Sequence, residues 1–192
     1  MITSIRDYLK TLIVEESDKC KWKPDDYFYL IKSISIDQRG RIGEHFLIGI
    51  FKELNKEIKY EENGHGDWDI EVDGIKIEVK LATLDRKDIF QHEGIKKSKL
   101  YDAVCFVDIA PNNLYITFIK KEDFEFNDKK GTFKLNGVIK NAHYRGKDNT
   151  SERATGAGYK VDFSKKELIE TKTLKDFENN FINTFLNEGN NK

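Results

Sequence analysis

Apolar residues first recur with helical spacing, and further along the chain they alternate with polar ones. Ser4 to Ile13 reads as a helix, and Pro24-Asp25-Asp26 opens a second that runs through Ile34, with proline and acids in the first turn where free N–H groups accept them. Arg39 to Lys56 predicts a third helix. Its Ile42, Phe46, Leu47, Ile48, Ile50, Phe51 and Leu54 cover most of the circumference, so it is expected to be largely buried. Glu44 shares a side with Leu47, Ile48 and Phe51, and its two readings are a carboxylate held beside the core and an exposed first-turn acid favoured by the helix dipole. The period then shortens to two. Ile58 and Tyr60 form one segment; Trp68, Ile70 and Val72 another; Ile75, Ile77, Val79 and Leu81 a third, with Asp73-Gly74 as the turn of a hairpin between the last two.

Asp88 to Lys99 reads as a short helix or structured loop, and Tyr101 to Ile109 as an apolar strand bounded by Pro111-Asn112-Asn113, after which Leu114 to Ile119 returns. Further strands are expected at Thr132–Leu135, Val138–Asn141 and Tyr159–Phe163, around the polar loop AHYRGKDNTSERATGAG. Ser164-x-x-Glu167 and Thr173-x-x-Asp176 resemble helix starts, and Leu174, Phe177, Phe181 and Phe185 form a helical stripe. Together these predict an α/β (α+β) fold in which helices flank a central mixed sheet carrying the hairpin. One domain is expected, divided into an N-terminal helical part (1–38), a core (39–126), strands with a polar loop (127–163) and C-terminal helices (164–187).

The 192 residues are 38% hydrophobic and 35% charged, with no continuous apolar run long enough for a membrane span and no secretory leader pattern at the start. The expectation is a cytoplasmic protein without a membrane partner. Cys20 and Cys105 form no Cys-x-x-Cys pair, and Cys105 in AVCFVDI is expected to face a core. No Gly-rich phosphate loop is present, so no nucleotide cofactor is expected. The net charge of −1 conceals an asymmetry: Lys129 to Lys160 holds eight basic residues and two acidic ones, a local excess of six positive charges.

The hairpin carries the chemistry. Alternation sends Ile75, Ile77, Val79 and Leu81 to one face and Lys76, Glu78 and Lys80 to the other; on the preceding strand Asp69, Glu71 and Asp73 take the polar face. Asp69 and Glu78 therefore converge near the open end of the hairpin, with Lys80 beside them. Carboxylates this close raise each other's pKa or recruit a cation, and oxygen ligands of this kind suit Mg²⁺. Lys80 would then orient or deprotonate a metal-activated water. The alternative is a solvated hairpin whose charges serve solubility alone.

Asp69 followed by Glu78-Val79-Lys80 resembles the PD-(D/E)xK nuclease superfamily, and the stretch from Gly43 to Asp123 looks most like a type II restriction endonuclease. Trp68 stands where the motif's name has proline. The resemblance implies a restriction-endonuclease-like core and Mg²⁺ held by Asp69, Glu78 and the carbonyl of Val79. It implies that Lys80 serves the water, with supporting roles for Glu44 on the preceding helix and Gln91 after the lysine strand. It also implies Mg²⁺-dependent hydrolysis of double-stranded DNA.

His143, Arg145, Lys147, Arg153 and Lys160 are the candidates for holding DNA, set against the reading of a solvated loop with incidental charge. A twofold-symmetric target calls for a homodimer, for which the N-terminal helices are the expected surface. Two other functions remain open: a structure-selective repair or recombination nuclease of the same superfamily, and a DNA-binding module without catalysis.

Overall fold

The computed structural model describes residues 5–18, 20–60, 66–127, 130–145 and 158–185. Its elements, in chain order, are α1 (Ile5–Asp18), α2 (Ile36–Glu53), β1 (Ile58–Lys59), β2 (Ile70–Val72), β3 (Ile75–Thr83), β4 (Ile89–Ile95), β5 (Ala103–Ile109), β6 (Leu114–Lys120), β7 (Phe124–Phe126), β8 (Lys130–Leu135), β9 (Val138–Tyr144), β10 (Tyr159–Ser164) and α3 (Leu174–Phe185). The architecture is mixed α/β.

The first sheet has the order β1-β2-β3-β5-β6. It is mixed, because β3 runs parallel to β5 while the other neighbours are antiparallel. The predicted hairpin turn is present. Asp73 (φ 49°) and Gly74 (φ 85°) both occupy the left-handed region that a two-residue primed turn requires. Asp73 also fastens β1 to the turn, accepting the Glu57 N–H at 2.9 Å and donating its own N–H to the Glu57 carbonyl at 2.9 Å.

Two helices cover one face of this sheet. Ser35 and Gln38 cap the start of α2 reciprocally, so the helix begins earlier than its apolar pattern suggests. Gly43 lies where α2 crosses β3: a Cβ there would stand 3.4 Å from both Leu81 and Val79. Phe51 of α2 meets Phe177 and Phe181 of α3, each at 5.1 Å between ring centroids, and Phe118 of β6 at 6.5 Å. The start of α3 is closed by the expected pair, with Thr173 Oγ1 accepting from the Asp176 N–H and the Asp176 carboxylate from the Thr173 N–H.

The other face of the first sheet is covered by strands, and here the structure departs from the sequence expectation of one central sheet flanked by helices. A second, wholly antiparallel sheet of order β4-β10-β9-β8-β7 lies there. Phe163 of β10 packs edge-on to Phe106 of β5 at 4.8 Å, and Phe90 of β4 lies 5.8 Å from Tyr115 of β6. Asp88–Lys99, read as a helix or loop, holds β4 because Phe90, His92 and Ile95 are buried in this layer while β10 satisfies the backbone. The helix predicted from Pro24 to Ile34 is reduced to a 3₁₀ turn at Tyr29–Ser33. Its N–H groups are drawn elsewhere: Phe28 donates to the Pro111 carbonyl at 3.0 Å and Tyr27 to Asn112 Oδ1 at 2.8 Å. The helix start read at Ser164 closes only a 3₁₀ turn, Lys165–Glu167. Cys105 is buried, as expected, and burial pushes its thiol pKa up.

Phe51 is fully buried among three rings, so Phe51→Ala is expected to cost about 3 to 5 kcal/mol. Ile169→Ala, at a position 78% exposed, is expected to cost less than about 0.5 kcal/mol. Urea unfolding of both variants measures the difference; equal losses would contradict this assignment of the core.

Candidate active site

β3 has neighbours on both edges and layers on both faces, so its polar residues do not point to open solvent. The alternation holds, with Ile77 and Val79 turned toward α2, but Glu78 on the opposite face lies between the two sheets and is only 2% exposed. A buried carboxylate needs compensation within its own contacts. Glu78 has it twice: Lys80 Nζ donates to Oε1 at 2.6 Å, and Lys99 Nζ donates to Oε2 at 2.7 Å. Lys80 and Lys99 each keep 23% of their side-chain surface exposed.

Asp69 lies one step beyond the Ile70–Ile77 pair of the hairpin, opposite Glu78. Its main-chain N–H donates to the Ile77 carbonyl at 3.0 Å, and its Oδ2 accepts the Val79 N–H at 2.6 Å. This side-chain bond extends the hairpin where the regular ladder ends, and it brings the Asp69 carboxyl against the segment that carries Glu78 and Lys80. Burial pushes the Asp69 pKa up to about 6, with the Glu78 charge acting in the same direction; the Val79 N–H, Lys80 and Lys99 oppose the shift.

Glu44 on α2 is half-buried and accepts from the Tyr60 hydroxyl at 3.4 Å. Burial raises its pKa above the usual carboxylate range, while Tyr60, His45 and Lys80 pull it down and Glu78 pushes it up. It therefore lies within electrostatic reach of the hairpin site. Gln91 does not join the group. His92 takes the inter-sheet face of β4, so Gln91 turns to the opposite face, where its Nε2 donates to Asp85 at 2.8 Å and its Oε1 accepts from Lys160 at 2.8 Å.

Two carboxylates are as many as a magnesium ion commonly uses, although both oxygens of Glu78 are engaged by lysines. Among the described residues no three His, Cys, Asp or Glu side chains come together as a metal-binding group. Mg²⁺, however, normally takes only one or two carboxylates and completes its shell with water and phosphate. Asp69 and Glu78 supply two carboxylates, and the Val79 carbonyl lies between Glu78 and Lys80 in sequence; the Asp69 pKa is raised first by burial and then by the Glu78 charge.

The candidates for DNA contact separate. His143 on β9 and Arg145 at its end are exposed. Lys160 departs from the expectation of a surface contact: it is 7% exposed and is engaged by Gln91 and by Asp162, the latter at 3.2 Å. Lys147 and Arg153 lie outside the described residues. Lys99 is the site residue that sequence reasoning missed. It stands 21 positions from Glu78. Its only sequence signal is the basic run Lys96-Lys97-Ser98-Lys99 just before the strand that pairs with β3.

The raised Asp69 pKa has a consequence for stability. With the folded value near 6 and the ordinary value at 3.8, folding takes up a proton between the two, so this group's contribution falls as pH rises through that window and stays low above it. Asp69→Asn removes the penalty. Urea midpoints of variant and parent are expected to separate in favour of the variant between about pH 4 and 6 and to stay apart by a constant amount above it. A difference independent of pH would contradict the shift.

No protein-family model matches the chain, and neither does any curated protein or solved structure with which it was compared.

Proposed function

We propose that the protein is a Mg²⁺-dependent endonuclease that hydrolyses phosphodiester bonds of double-stranded DNA, of the type II restriction class. The single observation that carries this reading is the convergence of Asp69 and Glu78 across the hairpin with the Lys80 ammonium 2.6 Å from Glu78. The mixed sheet adds support: the hairpin β2–β3, the parallel neighbour β5 and the antiparallel β6, with α2 and α3 on one face, suit a restriction-endonuclease-like core.

Asp69, Glu78 and the Val79 carbonyl would hold the metal, which when bound supplies an acidified water and charge stabilisation at the phosphoryl group. The chain's own residues do the positioning. Lys80 Nζ, hydrogen-bonded to Glu78, would orient the attacking water through a second N–H and stabilise the negative charge that develops on it. The Val79 N–H holds the Asp69 carboxylate in place through Oδ2. Glu44 contributes negative charge from α2. His143 and Arg145, with Lys147 and Arg153 from the same basic stretch, would hold backbone phosphates. Gln91 and Lys160, bonded to each other, have no place in this mechanism.

A homodimer would present one such site to each strand. The exposed apolar side chains Leu9, Leu12, Ile13, Tyr27 and Leu30 support the N-terminal region as its surface. No helix among the described residues is long and apolar enough to cross a membrane.

One observation favours a second reading. The two lysines already balance Glu78 without a metal ion, which suits a DNA-binding module that has no catalysis. A plasmid assay separates the two. With Mg²⁺ the protein is expected to convert supercoiled plasmid to defined linear fragments, and Lys80→Ala and Asp69→Ala are each expected to lower the rate by about two orders of magnitude or more while DNA binding persists. Selective cutting of branched substrate would point to a repair or recombination nuclease instead. Salt-sensitive binding with no Mg²⁺-dependent product would refute the enzyme reading.

A further inference from the structure

A buried carboxylate held by two ammonium groups is a poor ligand for a divalent cation while both stay in place, because the cation would sit beside two like charges. Each oxygen of Glu78 is already capped, at 2.6 Å by Lys80 and 2.7 Å by Lys99. An Mg²⁺ ion beside them would face two positive charges at close range, and the repulsion would cancel much of what the carboxylates supply. Moving one lysine away relieves that repulsion.

The surrounding structure decides which. Lys80 belongs to β3, and its backbone is held in the ladder opposite Phe106 of β5. Lys99 lies outside the sheet, in the connection between the end of β4 at Ile95 and the start of β5 at Ala103. The main chain at Lys99 is nevertheless anchored, because its carbonyl accepts a hydrogen bond from Lys121 Nζ. Lys121 in turn stands 5.0 Å from the centre of the Tyr101 ring. A fixed backbone with a long, partly exposed side chain makes a pivot: the ammonium can move while its root stays in place. Lysine suits this use, since its charge sits at the end of a flexible four-carbon stem and binds phosphate as a point charge.

We infer that Lys99 is a substrate-binding residue of this site: its ammonium holds Glu78 while the site is empty and passes to an oxygen of the DNA phosphate when a divalent cation takes the carboxylate. The inference rests on the nuclease reading and extends it. Its consequence is coupling: metal alone binds weakly because it must displace Lys99 into water, whereas metal and a phosphodiester bind together because the displaced ammonium gains a partner. The basic run Lys96-Lys97-Ser98-Lys99, which the hairpin motif leaves unexplained, then lies where a phosphate backbone would approach.

Calorimetric titration of the full chain with Ca²⁺ in the absence of DNA tests the inference without depending on turnover. Lys99→Met keeps the length and removes the charge, and it is expected to bind Ca²⁺ about tenfold more tightly than the parent. Lys99→Arg keeps the charge and is expected to stay near the parent's weak affinity, which separates an effect of charge from one of folding. In plasmid cleavage Lys99→Met is expected to lose rate despite its tighter metal site. Unchanged or weaker Ca²⁺ binding by Lys99→Met, with the parent still binding Ca²⁺ and cutting DNA, would overturn the role of Lys99 alone. If parent, Lys99→Met and Asp69→Asn all fail to bind Ca²⁺ and the parent does not cut DNA, the nuclease reading fails and this inference fails with it.

Discussion

A carboxylate placed between two sheets has to find its counter-charges within reach of its own oxygens, and the arrangement around Glu78 follows from that constraint. At 2% exposure water cannot solvate it, so Lys80 from the same strand and Lys99 from a distant connection meet on it. Removing either would leave a buried charge under-compensated. The same crowding explains Asp69, whose carboxyl is pushed up by burial and by Glu78 together.

The three layers give this site its rigidity. α2 and α3 seal one face of the first sheet through Phe51, Phe118, Phe177 and Phe181, so β3 cannot shift its register without exposing that cluster. The second sheet seals the other face and introduces a second buried polar pair. His92 of β4 and Asp108 of β5 are joined at 2.8 Å between the Phe106 and Phe163 rings. Burial raises the Asp108 pKa, and the His92 charge opposes the shift. Asp108 pairs in register with Ala82, two residues beyond Lys80, so the pair continues the row of polar side chains that begins at Glu78.

Much of the site was legible because its information is local. Asp-Gly at 73–74 specifies the turn, and a turn of two residues sets the register that brings Asp69 opposite Glu78. The α2 stripe and the Phe177, Phe181, Phe185 stripe of α3 likewise declare themselves by period. What failed depends on long-range pairing. β4 is a strand because β10 lies beside it, with Phe163 opposite Phe90, and nothing within IFQHEGI announces that partner. Alternation assigned Glu78 correctly to the face opposite Val79 but could not show that a second sheet buries that face. Lys99 was invisible for the same reason, since only the parallel pairing of β3 with β5 brings the preceding connection back over the hairpin. The Pro24 segment satisfies every local rule for a helix start, yet hydrogen bonds to Pro111 and Asn112 outweigh them.

The central claim is that the Asp69 and Glu78 carboxylates form one cation site. Anomalous diffraction from crystals soaked in Mn²⁺ tests it directly: the account predicts a manganese peak in contact with both carboxylates, with the Lys99 side chain withdrawn from Glu78. A peak bound elsewhere, or no peak at the two carboxylates at saturating Mn²⁺, would contradict it.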